Sequence, residues 1–99
     1  MNNAICKQGR DQMYYLYVLI CSDNTLYTGI TNDIEKRIKT HQEGKGSKYV
    51  RSRSPFKLIY SEMHFDKSSA CKRESEVKGW TRKEKILNLK LRLKDAKGF

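Results

Sequence analysis

Four side chains between positions 15 and 41 can take part in chemistry: the phenols of Tyr17 and Tyr27, the guanidinium of Arg37 and the imidazole of His41. A phenol or an imidazole can give or accept a proton, the imidazole near neutrality, and a guanidinium presents fixed donors to an anion. A fifth group, the Glu74 carboxylate, stands far along the chain. It shares one oddity with Arg37, since helical periodicity gives both places to the edge or face of a core, where a charge without a partner is costly.

The elements that must position these groups follow from the local sequence. Tyr14 to Ile20 is aromatic, branched or leucine throughout and Leu26 to Thr31 is its natural antiparallel partner, so the two predict a hairpin turning at Ser22-Asp23-Asn24. Strand alternation places Tyr15, Tyr17 and Leu19 on one face and lets Tyr17 and Tyr27 face the same side. Gly29, lacking a side chain, is expected to leave open backbone beside Tyr27 for a ligand. Asn32 with Glu35 three residues on predicts a helix N-terminus of the capping-box type, after which Ile34, Ile38 and His41 trace one stripe with Arg37 on its flank, one turn before His41.

The stretch from Gly44 to Ser54 holds glycines, hydroxyls, the basic residues Lys45, Lys48, Arg51 and Arg53, and the aromatic Tyr49. That set suits phosphate contacts and base stacking; the alternative is a solvated connector. The pattern of a Walker loop is absent. Phe56 to Tyr60 predicts a third strand, continuing through Glu62 to Phe65 after a kink. Asp66 or Ser68 caps the next helix, on which Ala70, Arg73, Glu74 and Val77 share a stripe. Two readings of Arg37 and Glu74 stay open here: a buried ion pair, or a polar site under the hairpin lined by both helices. Gly79 ends that helix, Trp80 serves as a core plug, and Thr81 with Glu84 opens a last helix to about Lys94. His64, at the far end of the third strand, has no evident chemical neighbour.

This arrangement resembles the GIY-YIG nuclease family, with Tyr15-Leu16-Tyr17 standing for the first motif and Tyr27-Thr28-Gly29 for the second. Tyr15 replaces the Gly of the family name and Thr28 its central Ile; neither departure touches Tyr17 or Tyr27. The similarity runs from about Tyr14 to Leu89 and is nearest to the small stand-alone bacterial branch. It implies metal-dependent phosphodiester hydrolysis, with Glu74 holding one divalent ion, Mg²⁺ or Mn²⁺, and Arg37 stabilising phosphoryl charge. Tyr17 would be the general base or orient the water, its pKa depressed by a nearby cation. Tyr27 would contact the phosphate or share that role, and His41 is a further proton-transfer candidate or a packing residue. The fold it implies is the one the elements suggest, a small α+β domain with an antiparallel three-stranded sheet flanked by helices.

With 99 residues the chain is expected to be one domain, residues 13–94, between a loose arm at 1–12 and a tail at 95–99. No run long enough to span a membrane and no apolar signal core is present, so a cytoplasmic protein with reduced thiols at Cys6, Cys21 and Cys71 is expected. The net charge is +10, and the basic excess lies entirely after residue 33. A polyanion is the partner this predicts: DNA, or RNA. Together with the family resemblance, and with no sequence-reading element visible, this leads to the expectation of a structure-selective DNA endonuclease of repair or processing, the alternative being a nucleic-acid-binding module with weak or no turnover.

Overall fold

The computed structural model describes residues 13–91, and its central strand is covered on both faces. That strand is β1 (Tyr14–Cys21), whose residues from Leu16 to Cys21 are all buried. It pairs antiparallel with β2 (Leu26–Thr31) through the predicted hairpin and on its other side with β3 (Phe56–His64), giving the order β2-β1-β3. Asn24 makes the turn possible by adopting a left-handed φ of 70°, which Asn tolerates. Asp23 braces it, accepting from the Thr25 hydroxyl at 2.6 Å.

Helices α1 (Ile34–Gln42) and α2 (Lys48–Ser52) come between β2 and β3, and α3 (Lys67–Lys78) and α4 (Arg82–Leu89) follow β3. Alternation along β1 sends its side chains into two separate cores. Leu16 and Val18 meet Val77 of α3 and Leu89 and Leu91 at the end of α4. Tyr17 and Leu19 meet Val50 of α2, with Ile34 and Ile38 of α1 and Phe56 packed around them. The α+β architecture is the one expected, with one refinement: the two helix pairs lie on opposite faces of the sheet. No site lined by both α1 and α3 lies under the hairpin, and a site using both must be built around the outer strand β2, against which α3 also packs.

Several boundaries differ from expectation, each for a local reason. Asp33, not Asn32, caps α1, its carboxylate accepting from Lys36 N at 3.1 Å, because the Thr31 hydroxyl already accepts the Asp33 N–H at 3.1 Å and carries the turn past Asn32. The Gly44–Ser54 stretch is no plain connector: Ser47 caps α2 in its middle. The kink foreseen in the third strand is a slip in pairing, where Val18 faces Tyr60 and Leu19 faces Leu58, leaving Ile59 as the extra residue of a bulge within a continuous β3. The last helix stops at Leu89 because Lys90 turns left-handed, with φ 54°, and Leu91 N–H then bonds back to Ile86 O. Thr81 and Glu84 form the predicted capping box. Asp66 caps α3. The expected arm at 1–12, the end of the helix at Lys94 and the tail at 95–99 lie outside the described residues.

Candidate active site

The Tyr17 hydroxyl is the centre of the polar group on the α1 and α2 face. It lies 3.1 Å from His41 Nε2 and accepts from Arg37 Nε at 3.4 Å. Both partners come from α1, one turn apart, so the helix presents them together to the middle of β1. Tyr17 and His41 are almost fully buried, at 1% and 2% exposure, while Arg37 and Tyr27 are half-buried. As strand alternation predicted, Tyr27 shares the face with Tyr17, their ring centroids 6.3 Å apart. Tyr27 also packs edge-on to His41 at 5.7 Å. Arg37 opens on a cleft of about 200 Å³ between the end of β2 and the first turns of α1, lined also by Thr31, Lys36 and Thr40.

Burial sets the proton chemistry of this group. It pushes the Tyr17 phenol up from 10.0 to about 12, outweighing the hydrogen bond from Arg37 that pulls the other way. The nearby cation is present, as the resemblance required, but it does not depress the phenol below its usual value. Tyr17 is thus a neutral hydroxyl at physiological pH. His41 is moved below the usual 6.5 by burial and then by the Arg37 charge, so it too is neutral there. Its Nδ1 has no hydrogen-bond partner among the described residues.

Two glycines make room for these rings. A Cβ on Gly29 would stand 2.6 Å from the Tyr17 hydroxyl, and a Cβ on Gly46 would stand 2.4 Å from His41 Nδ1. The backbone of Gly29 is therefore not open to a ligand as expected; the Tyr17 phenol fills that place, opposite Gly29 in the strand pairing. Gly46 belongs to the site in a way the sequence reading missed. A glycine in the return loop directly after a helix ending in a buried histidine was the signal available.

The remaining candidates are distributed around this centre. Tyr49 stacks at 5.8 Å on Tyr27 and carries the Arg53 guanidinium 4.0 Å over its ring. Arg53 also pairs with Asp23 at 3.0 Å, so it ties α2 to the hairpin turn and is not a free cation. Lys45, Lys48 and Arg51 are exposed. Glu74 is half-buried between the buried Ala70 and Val77 and pairs with Lys78 at 3.2 Å; the ion pair with Arg37 considered from sequence does not form. His64 does have chemical neighbours: Glu62 at 2.6 Å and Ser69 at 2.7 Å, with Arg73 joining Glu62 at 3.0 Å. This network fastens β3 to α3. Trp80 packs against the core beside Val77 and Leu16, as expected.

Among the described residues no three histidine, cysteine or acidic side chains converge. A hard cation such as Mg²⁺ needs fewer, since it is held by one or two carboxylates while water and substrate phosphate complete its shell. Glu74 fits that role as a single oxygen donor, paired only with the exposed Lys78 ammonium.

The family model of the GIY-YIG catalytic domain matches residues 13–88. A UPF0213 protein from Staphylococcus haemolyticus is 48% identical over 73 residues, 74% of this chain and 89% of its own length. One from Haloquadratum walsbyi is 44% identical over 73% of this chain and 81% of its own length. Two solution NMR structures share the fold. A UPF0213 protein from Bacillus halodurans has a TM-score of 0.51 at 41% identity, covering 87% of this chain and 86% of that one. A protein from E. faecalis has a TM-score of 0.59 at 35% identity, covering 88% and 91%. The chain belongs to the GIY-YIG nuclease family, together with the UPF0213 proteins.

Proposed function

We propose that this protein hydrolyses phosphodiester bonds of DNA, with Arg37, Tyr27 and Glu74 meeting the substrate and Tyr17 and His41 positioning them from beneath. The observation that carries this reading is the buried Tyr17 hydroxyl held between Arg37 and His41. Tyr17 occupies the Nε of Arg37 and so steadies a guanidinium that lines the cleft, suited to charge that develops on phosphoryl oxygens. A neutral phenol this deep in the protein is a poor first acceptor for a proton from water. Tyr27, half-buried and packed against both Tyr17 and His41, is the phenol placed to orient the attacking water. Mg²⁺ or Mn²⁺, held by Glu74, would supply Lewis-acid stabilisation of the phosphate. The site is expected to prefer a DNA structure over a sequence, and a role in repair or processing follows from that preference.

A second reading, a binding module without turnover, draws support from the Glu74–Lys78 pair, which already satisfies the carboxylate. One experiment separates the two: purified protein is incubated with single-stranded, duplex, flap and branched DNA, with and without Mg²⁺ or Mn²⁺. Cleavage only with metal, lost in Glu74→Ala, supports the nuclease. Arg37→Lys keeps the charge but not the planar fork, and single-turnover cleavage should fall about a hundredfold to a thousandfold with DNA affinity little changed. Binding without cleavage under every metal condition, or a fully active Arg37→Lys protein, would overturn this assignment.

A further inference from the structure

Beside Tyr49 lies an open groove of about 510 Å³, lined by the hairpin turn from Asp23 to Leu26, the Tyr49 ring, and Arg82 and Lys85 of α4. Its volume falls in the range of small-ligand sites. Its walls divide by chemistry. Tyr49, 37% exposed with the Arg53 guanidinium 4.0 Å over its ring and Tyr27 packed on it, offers its remaining aromatic surface and Leu26 an apolar one, while Arg82 and Lys85 supply positive charge. The one acidic side chain in the lining, Asp23, is engaged by Arg53 at 3.0 Å and by Thr25. Arg82 donates to the Asn24 carbonyl and joins the N-terminal end of α4 to the turn. Lys85 differs from the other basic residues of α4. It is half-buried, no carboxylate pairs with it among the described residues, and its neighbouring charge is another cation, Lys78. A half-buried lysine beside a second lysine, in a groove with an aromatic wall, lacks an anion.

We propose that this groove is a nucleotide subsite, taking an unpaired nucleotide whose base lies against Tyr49 and Leu26 and whose phosphate meets Lys85 and Arg82. A duplex offers its phosphates but keeps its base faces stacked, so only an unpaired nucleotide uses both walls. Tyr49 connects the subsite to the polar centre, since its ring packs on Tyr27, which packs on Tyr17. The strand held here therefore continues toward Arg37. This inference rests on the nucleic-acid reading of the site, and it selects among substrates those with an unpaired nucleotide beside the point of cleavage.

The test is binding, measured in a chelator so that cleavage plays no part. Fluorescence anisotropy over a salt series compares wild type and Lys85→Gln on a blunt duplex, the same duplex with a single-stranded tail, and a single strand. On the tailed and single-stranded probes Lys85→Gln should weaken binding and flatten the slope of log K against log salt by about 0.7, one phosphate contact on a single strand. On the blunt duplex the two proteins should agree. Tyr49→Leu should lower affinity for the single strand about fivefold or more, with unchanged circular dichroism confirming its fold. Equal slopes for wild type and Lys85→Gln on the tailed probe would overturn the subsite, as would an equal loss on all three probes, which marks general surface charge. A protein that binds as predicted but never cuts keeps this inference and loses the nuclease; one that cuts while Lys85→Gln changes nothing loses only the subsite.

Discussion

Tyr17 and Tyr27 are chemically identical, and depth separates the roles proposed for them. Removing the Tyr17 hydroxyl strands a buried His41 nitrogen and frees Arg37 from its partner. Tyr17→Phe should therefore cost about 1 to 3 kcal/mol of stability in urea unfolding, together with activity. Tyr27→Phe, half-buried at the mouth, should keep its stability and lose cleavage; a stable, inactive Tyr17→Phe would reverse the two roles. The same burial fixes a pH window for stability. Because the Tyr17 pKa is raised from 10.0 to about 12, the unfolded chain releases that proton first, and stability present below pH 10 is lost as pH rises through 12, by roughly 3 kcal/mol in all. His41 works at the other end. Its pKa is lowered from 6.5, so the unfolded chain takes up a proton first and stability declines as pH falls below 6.5. Thermal melts across pH should show both shoulders, the alkaline one shrinking in Tyr17→Phe and not vanishing, because burial also raises the pKa of Cys21 and Tyr60. That the two tyrosines share a face was legible in the alternation of β1 and β2. The depth of Tyr17 was not, since it depends on what covers that face.

What covers it is α2 and the loop before it, and here the elements carry information that single residues did not. The Gly44–Ser54 stretch read as a phosphate-holding loop, and glycines and lysines do give it that look. Yet Val50 of its short helix is completely buried against Tyr17 and Leu19, and Gly46 lies against the His41 ring. A five-residue helix with one apolar anchor leaves too little periodicity to detect. Gly46→Ala should push the imidazole from Tyr17 and cost about 1 to 3 kcal/mol by overpacking, with DNA binding retained; an unchanged urea midpoint would show that the loop can move aside. The sheet order, with β1 at the centre, was not read from the sequence, although a strand whose alternating positions are all apolar or aromatic carries that signal, since both its faces need covering. That same covering keeps α1 and α3 apart on opposite faces, a relation that no local pattern encodes. The charge at Glu74 was correctly seen as out of place in its stripe, but only the fold shows it at the boundary, beside Lys78.

Over the whole molecule the positive charge gathers after residue 33, and with it the capacity to hold a polyanion at long range. Reversing Lys45, Lys48 and Arg51 together should weaken DNA binding on every sequence and flatten its salt slope, since all three are exposed and none supports the core. A slope unchanged by the triple reversal would remove this surface from the DNA path. The polar centre, by contrast, is assembled from one continuous stretch. Arg37 and His41 lie only 20 and 24 residues from Tyr17, and Gly29 lies between them, so every link closes a short loop of chain. Short loops cost little entropy to close, and contacts of this kind form early and quickly. The hairpin and α1 can thus meet before β3 has joined the sheet, and the contacts of Tyr17 with Arg37 and His41 are expected to form in the folding nucleus. Substituting Tyr17 or His41 should then slow refolding in a stopped-flow experiment, whereas substituting Glu74 should leave that rate alone. For the ribosome the consequence is one of timing: Tyr17, Arg37 and His41 are all made before the second half of the chain.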